Sequence, residues 1–382
     1  MKTYIKKGAW DERVYQAINK LIETHGKDNP SYDINHKPFA VFDWDNTSII
    51  GDVEEVLLYY MITNLTFKME VEEFYELIRK NVDTKPYGKN HANLEGNLIN
   101  IDVLSADIKV AYQFIYDNYE KFKGSMSLEE VKETDYYKEF VAKMFYRYKV
   151  SSYADDAEDP YCWMSYLLKN YTKDQVMELG ARAYKIMKKE PIRVETFTSP
   201  TIESKSGRIE IEYFVGIREL EEMANLYKAL EENGIDVYIV SASFIDIVRT
   251  FATSEDNSYK MDEKKVLGLR LKRLGDGRIL PAIDKSYPIS IREGKVATID
   301  KLIKNANNYG PVMVGGDSDG DFAMLTTYPD TEVALLVHRE NDGKITSLRN
   351  QAWQDSTRYF SQGRNLLQGK FVNSNKSVGY NE

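Results

Sequence analysis

The chain has 382 residues, which exceeds one ordinary domain and predicts two to three domains at roughly 150 residues each. Hydrophobic residues make up 42% and charged residues 29%, a composition typical of folded globular proteins and not of disordered ones. The net charge of −9 argues against binding to the phosphate backbone of nucleic acids, because such proteins present a basic surface. We therefore expect no nucleic-acid partner.

The single cysteine, Cys162, excludes an intramolecular disulfide framework and a cysteine-rich zinc site. The four histidines are scattered along the chain, so any bound metal is expected to have carboxylate ligands. No apolar run of about 18 residues exists, and we predict no membrane-spanning segment. The N-terminal residues lack the apolar stretch of a signal peptide, which predicts a cytoplasmic protein. A secreted or envelope-associated protein whose leader had been removed would show the same pattern.

The first predicted element is a helix that carries Val14, Ile18 and Ile22 on one face and ends at Gly26. Further strands and helices follow along the chain. Strands are predicted at 39–42, 208–214, 237–240, 312–314 and 333–337, with a hairpin formed by 266–271 and 278–280. Helices are predicted from about 53, at 218–233, 244–252, 294–305 and 320–327, and throughout the tyrosine-rich stretch 62–205.

The alternation of strands and helices predicts an α/β fold with a Rossmann-like parallel sheet core. Because a long helical stretch separates the first strand from the others, we interpret that stretch as an inserted α-helical cap domain. The predicted parts are an N-terminal helical arm (1–38), the catalytic core (39–61 and 206–340), the cap (62–205) and a C-terminal extension that packs on the core (341–382).

Polar side chains are predicted at the carboxyl ends of three strands, which is where ligands bind in open α/β sheets. A carboxylate there can attack phosphorus, and a second carboxylate can move protons. Neighbouring carboxylates can hold Mg²⁺, and a hydroxyl and an ammonium group can bind phosphate oxygens. The set therefore predicts phosphoryl transfer. Its members are Asp43 and Asp45 after 39–42, Ser241 after 237–240, Asp317, Asp319 and Asp321 after 312–314, and Lys295 at a helix start.

These segments resemble, in order, the four motifs of the haloacid dehalogenase-like hydrolase superfamily. The motifs are DxDx(T/S) at 43–47, a strand followed by Ser241, a lysine at Lys295, and GDxxxD at 316–321. The resemblance implies that Asp43 is the nucleophile and a Mg²⁺ ligand, and that Asp317 is a second ligand. It implies that Asp45 is the general acid and base and binds the metal through its backbone carbonyl. It also implies that Thr47 orients the loop, that Thr47, Ser241 and Lys295 bind phosphate, and that Asp321 supports the site.

A second carboxylate at Asp45 is typical of the phosphatases of that superfamily, so the resemblance implies a phosphatase of small phosphomonoesters that forms an aspartyl phosphate. Residues 42–48 and 52–55 resemble the phosphorylcholine phosphatase branch, which is related to phosphoserine phosphatases. Asp52 lies where phosphoserine phosphatases carry an acid that contacts the substrate's amine, although Gly320 replaces the asparagine of their fourth motif. A phosphocholine-like substrate is favoured, and phosphoserine or another small organic phosphate is the alternative. A phosphoryl-binding protein without turnover is the alternative from another class.

Several residues have a second interpretation. The acids at 52–55 form a favourable start for a helix, and one of them can also bind a cation. A calcium loop from Asp43 would place Glu54 at position twelve, but Ser48 stands where such a loop needs glycine. Asp319 is expected to be solvated or to cap a helix, and Ser243 to share the phosphate with Ser241. Aromatic cap residues pack in a core or surround a quaternary ammonium; the candidates are Tyr59, Tyr60, Tyr161, Trp163 and Tyr166.

Overall fold

The computed structural model describes residues 2–150, 162–200, 203–304 and 309–378. Its strands are β1 (Phe39–Phe42), β2 (Ile49–Ile50), β3 (Arg193–Thr198), β4 (Glu210–Val215), β5 (Arg218–Glu219), β6 (Asp236–Phe244), β7 (Val266–Leu269), β8 (Leu271–Arg273), β9 (Ile279–Ile283), β10 (Met313–Gly316), β11 (Val333–Val337), β12 (Tyr359–Gln362), β13 (Arg364–Asn365) and β14 (Lys370–Phe371). Its α-helices are α1 (Glu12–His25), α2 (Val53–Asn64), α3 (Val71–Ile78), α4 (Ile101–Asn118), α5 (Leu128–Lys132), α6 (Asp135–Lys149), α7 (Cys162–Tyr166), α8 (Lys173–Met187), α9 (Glu221–Glu232), α10 (Ile245–Ala252), α11 (Glu293–Ile299), α12 (Phe322–Thr327) and α13 (Ile345–Trp353).

Six strands form a parallel sheet in the order β12-β11-β10-β1-β6-β7. The central strand β1 is buried on both faces, because Phe39 and Val41 pack into one apolar cluster and Ala40 and Phe42 into the other. A strand covered on both sides by helices reads as a continuous apolar run, which is the pattern of this segment. The predicted α/β fold with a Rossmann-like parallel sheet is confirmed.

Among the described residues, the stretch between α2 and α9 contains the α-helices α3 to α8 and an antiparallel ribbon of β3 and β4. Many of its aromatic side chains form the core between these helices. The rings of Phe74 and Tyr112 stack with their centroids 4.2 Å apart, and Phe140 packs against both. At these positions the abundance of aromatic residues therefore serves packing.

The ribbon differs from the predicted elements. No strand is predicted at β3. The strand β4 was predicted as the return of the chain to the core, but it pairs with β3, from Arg193 opposite Val215 to Thr198 opposite Glu210. Residues of β3 alternate between half-buried and exposed because one face of the ribbon packs on α6 and the other faces solvent. The ribbon crosses the predicted boundary between cap and core at 205 and 206, and the domain boundaries stay a prediction.

The C-terminal residues add an edge strand to the main sheet. β12 pairs in parallel with β11, with Ala334 opposite Tyr359, and the short β13 and β14 pair with each other beyond it. The predicted hairpin exists as β8 and β9, whereas β7 belongs to the main sheet. Within the residues that the structure describes, no helix is both long enough and apolar enough to cross a membrane.

Candidate active site

A cavity of about 340 Å³ opens at the carboxyl edge of the main sheet. The end of β1 brings Asp43 and Asp45 to its wall, the end of β10 brings Asp317, and α11 brings Lys295. These predicted residues come from three distant parts of the chain, and the two strand ends meet because all carboxyl ends of a parallel sheet share one edge. An apolar wall completes the cavity; it consists of Cys162, Met164, Leu269 and Ile291.

Three buried carboxylates lie together at this site; Asp43 and Asp317 line the cavity, and Asp321 lies behind them. Asp43, Asp317 and Asp321 each offer an oxygen, and these oxygens lie within 4.8 Å of one another. The Lys295 ammonium is 2.7 Å from Asp43 Oδ1 and 2.6 Å from Asp321 Oδ1. Burial lowers the pKa of Lys295, but the charges of Asp321 and Asp43 outweigh it, so the pKa lies above its ordinary value. Lys295 is therefore a permanent positive charge beside the carboxylates.

Asp321 connects this group of carboxylates to the loop after β10. Its Oδ2 accepts hydrogen bonds from the backbone N–H groups of Asp317, at 3.0 Å, and Ser318, at 3.1 Å. A side chain at Gly316 would place its Cβ 2.4 Å from the Cβ of Asp321, so the glycine of this motif permits the close approach. These contacts agree with the supporting role predicted for Asp321.

Asp45 is held in a separate network of donors. Its Oδ1 accepts a hydrogen bond from the N–H of Val53 at 2.8 Å, and its Oδ2 accepts from the hydroxyls of Ser243 at 2.7 Å and Ser241 at 3.3 Å. Burial, followed by the charges of Asp52 and Asp43, raises the pKa of Asp45 well above its ordinary value. An acid in this environment can carry a proton near neutral pH.

Asp43 and Asp317 are also pushed toward the neutral form. Burial and the charge of Asp321 raise the pKa of Asp43 to about 8, although Lys295 opposes the shift. Burial likewise raises the pKa of Asp317, against the opposing charge of Arg339, whose Nη1 donates to Asp317 Oδ2 at 3.0 Å. A cation bound between these two carboxylates would favour their ionised forms, and oxygen ligands of this kind are what Mg²⁺ requires. The residues present therefore fit a divalent cation.

Acids from the start of α2 also line the cavity. Asp52 caps the helix and accepts hydrogen bonds from the N–H groups of Glu54 at 2.8 Å and Glu55 at 3.0 Å. Glu54 accepts from the Ser165 hydroxyl, and Glu55 accepts from the Tyr148 hydroxyl of α6. Burial and the charge of Asp52 raise the pKa of Glu55 to about 7, so Glu55 becomes negative as pH rises through that value.

Four of the predicted site residues, Thr47, Ser241, Asp321 and Trp163, do not lie among the described residues that line the cavity. Thr47 is fully buried and its hydroxyl donates to Asp317 Oδ1 at 3.2 Å, so it positions that carboxylate. Ser241 is also fully buried, and Ser243 is the serine of this strand that lines the cavity. The phosphate-binding roles of Thr47 and Ser241 stay predictions.

Trp163, predicted as a substrate contact, is buried, and the guanidinium of Arg147 stacks over its ring at 4.5 Å. Its neighbours Cys162 and Met164 line the cavity instead, because successive residues of α7 point in different directions. Of the other aromatic candidates, Tyr59 stacks on Tyr213, and Tyr161 lies outside the described residues.

Asp319 Oδ1 accepts the N–H of Ile345, the first residue of α13, at 2.8 Å. Asp319 was expected to be solvated or to cap the next helix along the chain, α12, and its carboxylate contacts a later helix instead. Arg339, in contrast, lines the cavity and is missing from the predicted residues. It follows β11, and the search for polar residues after strands would have found it if that strand had been included.

The chain was compared with known proteins. No family model matches it. It is 23% identical over 365 residues to the phosphorylcholine phosphatase of Pseudomonas aeruginosa, covering 87% of this chain and 81% of that protein. A solved structure of a conserved, functionally unknown protein from Anaerococcus prevotii DSM 20548 is 63% identical, with a TM-score of 0.97 and complete coverage of both chains. A phosphoserine phosphohydrolase-like protein from Francisella tularensis subsp. tularensis SCHU S4 is 11% identical, with a TM-score of 0.36, and covers 84% of this chain and 94% of that one.

The sequence motifs, the sheet and the curated relative agree. The residues of the four motifs stand in the expected order, and the parallel sheet brings Asp43, Lys295 and Asp317 to one cavity. The similarity to the phosphorylcholine phosphatase extends over most of both chains. Together they support the resemblance to the haloacid dehalogenase-like hydrolases, in the branch of the phosphoserine and phosphorylcholine phosphatases.

Proposed function

We propose that the protein is a Mg²⁺-dependent phosphatase that hydrolyses a small phosphomonoester through an aspartyl-phosphate intermediate. The observation that carries this proposal is the arrangement of charges at this site. Lys295 lies 2.7 Å from Asp43, and the Asp45 carboxylate, whose pKa is raised, lines the same cavity. A nucleophile, a proton donor and a fixed cation are the groups that phosphate transfer to a carboxylate needs.

The residues that would hold Mg²⁺ are Asp43, Asp317 and the backbone carbonyl of Asp45, with Asp321 behind them. Bound there, the ion would neutralise the phosphate group and the Asp43 carboxylate as they approach each other. Thr47 and Arg339 both donate to Asp317 and would keep its carboxylate in place. We expect the Arg339 contact to change on binding, since Asp317 Oδ2 is one of the oxygens available to the metal.

The reaction has two steps. An oxygen of Asp43 attacks phosphorus, the bond between phosphorus and the substrate's alcohol oxygen breaks, and Asp45 gives its proton to that oxygen. Water then attacks the phosphorus of the aspartyl phosphate, Asp45 takes up a proton of the water, and the Asp43 carboxylate leaves. Lys295 balances the negative charge of the Asp43 carboxylate before the first step and again after the second. Inorganic phosphate and the alcohol are the products.

The raised pKa of Asp45 supports its role as the acid of the first step. The hydroxyls of Ser243 and Ser241 and the N–H of Val53 point at its carboxylate and fix its orientation. They would also support the ionised form that Asp45 takes after it has given up the proton. A group that donates in one step and accepts in the next needs both effects.

The helical insertion would act as the cap of the site. Tyr148 of α6 and Cys162 and Met164 of α7 line the cavity opposite the carboxylates. Closure of these helices over the substrate would keep bulk water away from the reactive phosphate. The cap limits, 62–205, remain part of this proposal.

The favoured substrate is a phosphomonoester with a small cationic alcohol, such as phosphocholine. Asp52, Glu54 and Glu55 line the same cavity as Lys295 and would provide negative charge for the cation. The apolar wall formed by Cys162, Met164 and Leu269 suits the methyl groups of a quaternary ammonium. The similarity to a phosphorylcholine phosphatase supports the same choice.

Arg339 favours a second candidate. Its side chain lines the same cavity, and its charge acts on both Asp52 and Glu55. A cation beside two acids can recognise an alcohol that has both a carboxylate and an ammonium group, as in phosphoserine. The choice between the two substrates therefore depends on whether Arg339 is free to bind a carboxylate when Asp317 holds the metal.

The proposal is tested by phosphate release from phosphocholine, phosphoethanolamine, phosphoserine and glycerol phosphate, with Mg²⁺ and with EDTA. The variant is Asp43→Asn, and the matched control is Asp319→Asn, which changes an acid of the GDxxxD motif that caps a helix instead. We expect release that needs Mg²⁺, disappears in Asp43→Asn and persists in Asp319→Asn. The order of the four rates identifies the substrate class.

Two results would contradict the proposal. Equal release by Asp43→Asn and the wild type would show that Asp43 is not the nucleophile. Mg²⁺-dependent binding of phosphocholine without release of phosphate would support the alternative of a phosphoryl-binding protein without turnover.

A further inference from the structure

The C-terminal segment 363–378 reaches the loop that carries the two predicted catalytic aspartates. Arg364, at the start of β13, is fully buried, and its Nη1 donates to the backbone carbonyl of Asn46 at 2.9 Å and to Asn46 Oδ1 at 3.3 Å. Arg364 and Asn46 are 318 residues apart in the chain. A buried guanidinium aimed at the catalytic loop is not explained by the roles that the four motifs imply.

Asn46 occupies an unusual backbone conformation. Its φ is 57°, in the left-handed region that asparagine enters more readily than most residues. Its N–H donates to the carbonyl of Gly51 at 3.0 Å, and its own carbonyl accepts from Arg364. These two hydrogen bonds fix the backbone of the turn between Asp45 and Thr47.

This turn sets the directions of the side chains on either side of it. Asp45 points toward Ser243 and the N–H of Val53, whereas Thr47 points toward Asp317. A change in the dihedral angles of Asn46 would therefore move the proton donor and the group that positions Asp317 at the same time. Displacement of a catalytic group by about 1 Å can reduce a rate by about a hundredfold.

Arg364 is itself held by the C-terminal residues. Its N–H donates to Ser377 Oγ at 3.0 Å, and its carbonyl accepts from the N–H of Val378 at 3.0 Å. Ser377 in turn donates from its N–H to His338 Nδ1 at 2.9 Å and from its hydroxyl to the His338 carbonyl at 2.7 Å. His338 directly precedes Arg339, which contacts Asp317. The segment thus joins two loops of the active-site edge.

We infer that Arg364 is a positioning residue, through which the C-terminal segment holds the Asp43–Thr47 loop in the conformation that the reaction needs. The kinetic part of this inference rests on the proposed phosphatase function. The structural part does not, because the conformation of the loop can be measured in a protein of any activity.

The first experiment compares Arg364→Ala with Arg358→Ala. Arg358 also belongs to the C-terminal part of the chain, and its guanidinium donates to the Tyr328 carbonyl at 2.7 Å, away from the cavity. For Arg364→Ala we expect kcat for phosphocholine to fall by about tenfold to a hundredfold with little change in KM. Added millimolar guanidinium should restore part of kcat in Arg364→Ala and none in the wild type or Arg358→Ala, since it can fill the vacated site.

The second experiment measures hydrogen exchange in residues 43–51 without substrate. We expect faster exchange of the N–H groups of Asn46 and Ser48 in Arg364→Ala, and wild-type exchange in Arg358→Ala. If Arg364→Ala does not fold, Arg364→Lys keeps the charge but not the two-pronged donor, and the same increase in exchange is expected.

Wild-type exchange of this loop in a folded Arg364 variant would overturn the inference. An unchanged kcat in Arg364→Ala would also overturn it. The same holds if Arg364→Ala and Arg358→Ala lose kcat equally and guanidinium restores neither. Absence of phosphatase activity in the wild type would contradict the proposed function instead, and the exchange experiment would still test the role of Arg364.

Discussion

The ammonium of Lys295 lies 2.7 Å from the Asp43 carboxylate, and the two side chains are 2% and 10% exposed. A buried pair of this kind takes two charges out of water, so its cost is balanced only while both partners are present. Asp321 also forms a buried ion pair with Lys295, at 2.6 Å, and the same balance of costs applies to it. Lys295 therefore contributes to the stability of the carboxylate group as well as to the proposed reaction.

We predict that Lys295→Met lowers the free energy of unfolding in EDTA by roughly 3–5 kcal/mol, because the substitution leaves buried carboxylates without this cation. Mg²⁺ should restore part of the loss by binding the same carboxylates. The measurement is urea unfolding with EDTA and with Mg²⁺. The control is Lys304→Met, which removes an exposed partner of Asp300 and should cost less than about 1 kcal/mol. Equal stability of Lys295→Met and the wild type in EDTA would contradict the prediction.

We predict that Asp45→Asn reduces kcat by about a hundredfold to ten-thousandfold, since the variant cannot move the proton in either step. A leaving group that needs no proton should separate the two steps. With p-nitrophenyl phosphate we expect a rapid burst of about one p-nitrophenol per enzyme, followed by slow turnover. Rapid mixing measures the burst. Steady turnover at the wild-type rate from the first second would rule out Asp45 as the base of the second step.

Glu55 predicts a pH dependence of substrate preference. Burial and the charge of Asp52 raise its pKa to about 7, against the hydrogen bond from Tyr148, so the carboxylate becomes negative as pH rises through that value. If Glu55 binds the substrate cation, preference for phosphocholine should increase between pH 6 and pH 8. The measurement is the ratio of kcat/KM for phosphocholine and glycerol phosphate, in which the titration of the phosphate group cancels.

The control for that experiment is Glu55→Gln, which keeps the size and hydrogen-bonding capacity of the side chain. Its ratio should be low and independent of pH. If the wild-type ratio stays constant from pH 6 to pH 8, Glu55 does not recognise the cation. Asp52 or Glu54 would then bind it, or none of these three acids would.

His338 predicts a pH dependence of stability. Its Nδ1 accepts the N–H of Ser377 at 2.9 Å, and burial, followed by the charges of Arg349 and Arg364, lowers its pKa to about 4. The folded protein therefore favours the neutral ring. The stability contribution is complete above the ordinary pKa of 6.5 and is lost progressively as pH falls toward 4.

We expect the wild type to lose about 2 kcal/mol more than His338→Asn between pH 8 and pH 5, because asparagine can accept the same hydrogen bond without a proton to gain. Urea unfolding at the two pH values measures the difference. An equal loss in both proteins would show that protonation of His338 does not oppose folding.

Much of the fold followed from local patterns. The apolar run Phe39–Phe42, buried on both faces, predicted a parallel strand, and the aspartates directly after it predicted the chemistry at its end. The same reasoning located Asp317 and Lys295, since residues at strand ends and helix starts are specified by their neighbours in the chain. The acidic start of the helix that begins at Val53 was predicted for the same reason.

The positions of other predicted residues depend on contacts that the local pattern does not contain. Ser241 and Ser243 lie on one strand two residues apart, and only the positions of Asp45 and the cavity show which of the two serines lines the cavity. Trp163 was singled out by its aromatic side chain, but Arg147 covers its ring. β3 was not predicted because half-buried alternation in a short ribbon is a weak signal without its partner strand.

The proposed nucleophile, proton donor and phosphate-binding lysine can be predicted from short segments, because each motif is a few residues at the end of one element. The environment of those groups depends on residues that come from distant parts of the chain. Tyr148 from the helical insertion, Arg339 after β11 and Arg364 from the C-terminal segment reach the site only after the sheet and the insertion have packed. Burial then raises the pKa values of Asp45 and Glu55, since desolvation is a property of the folded surroundings and not of the residue.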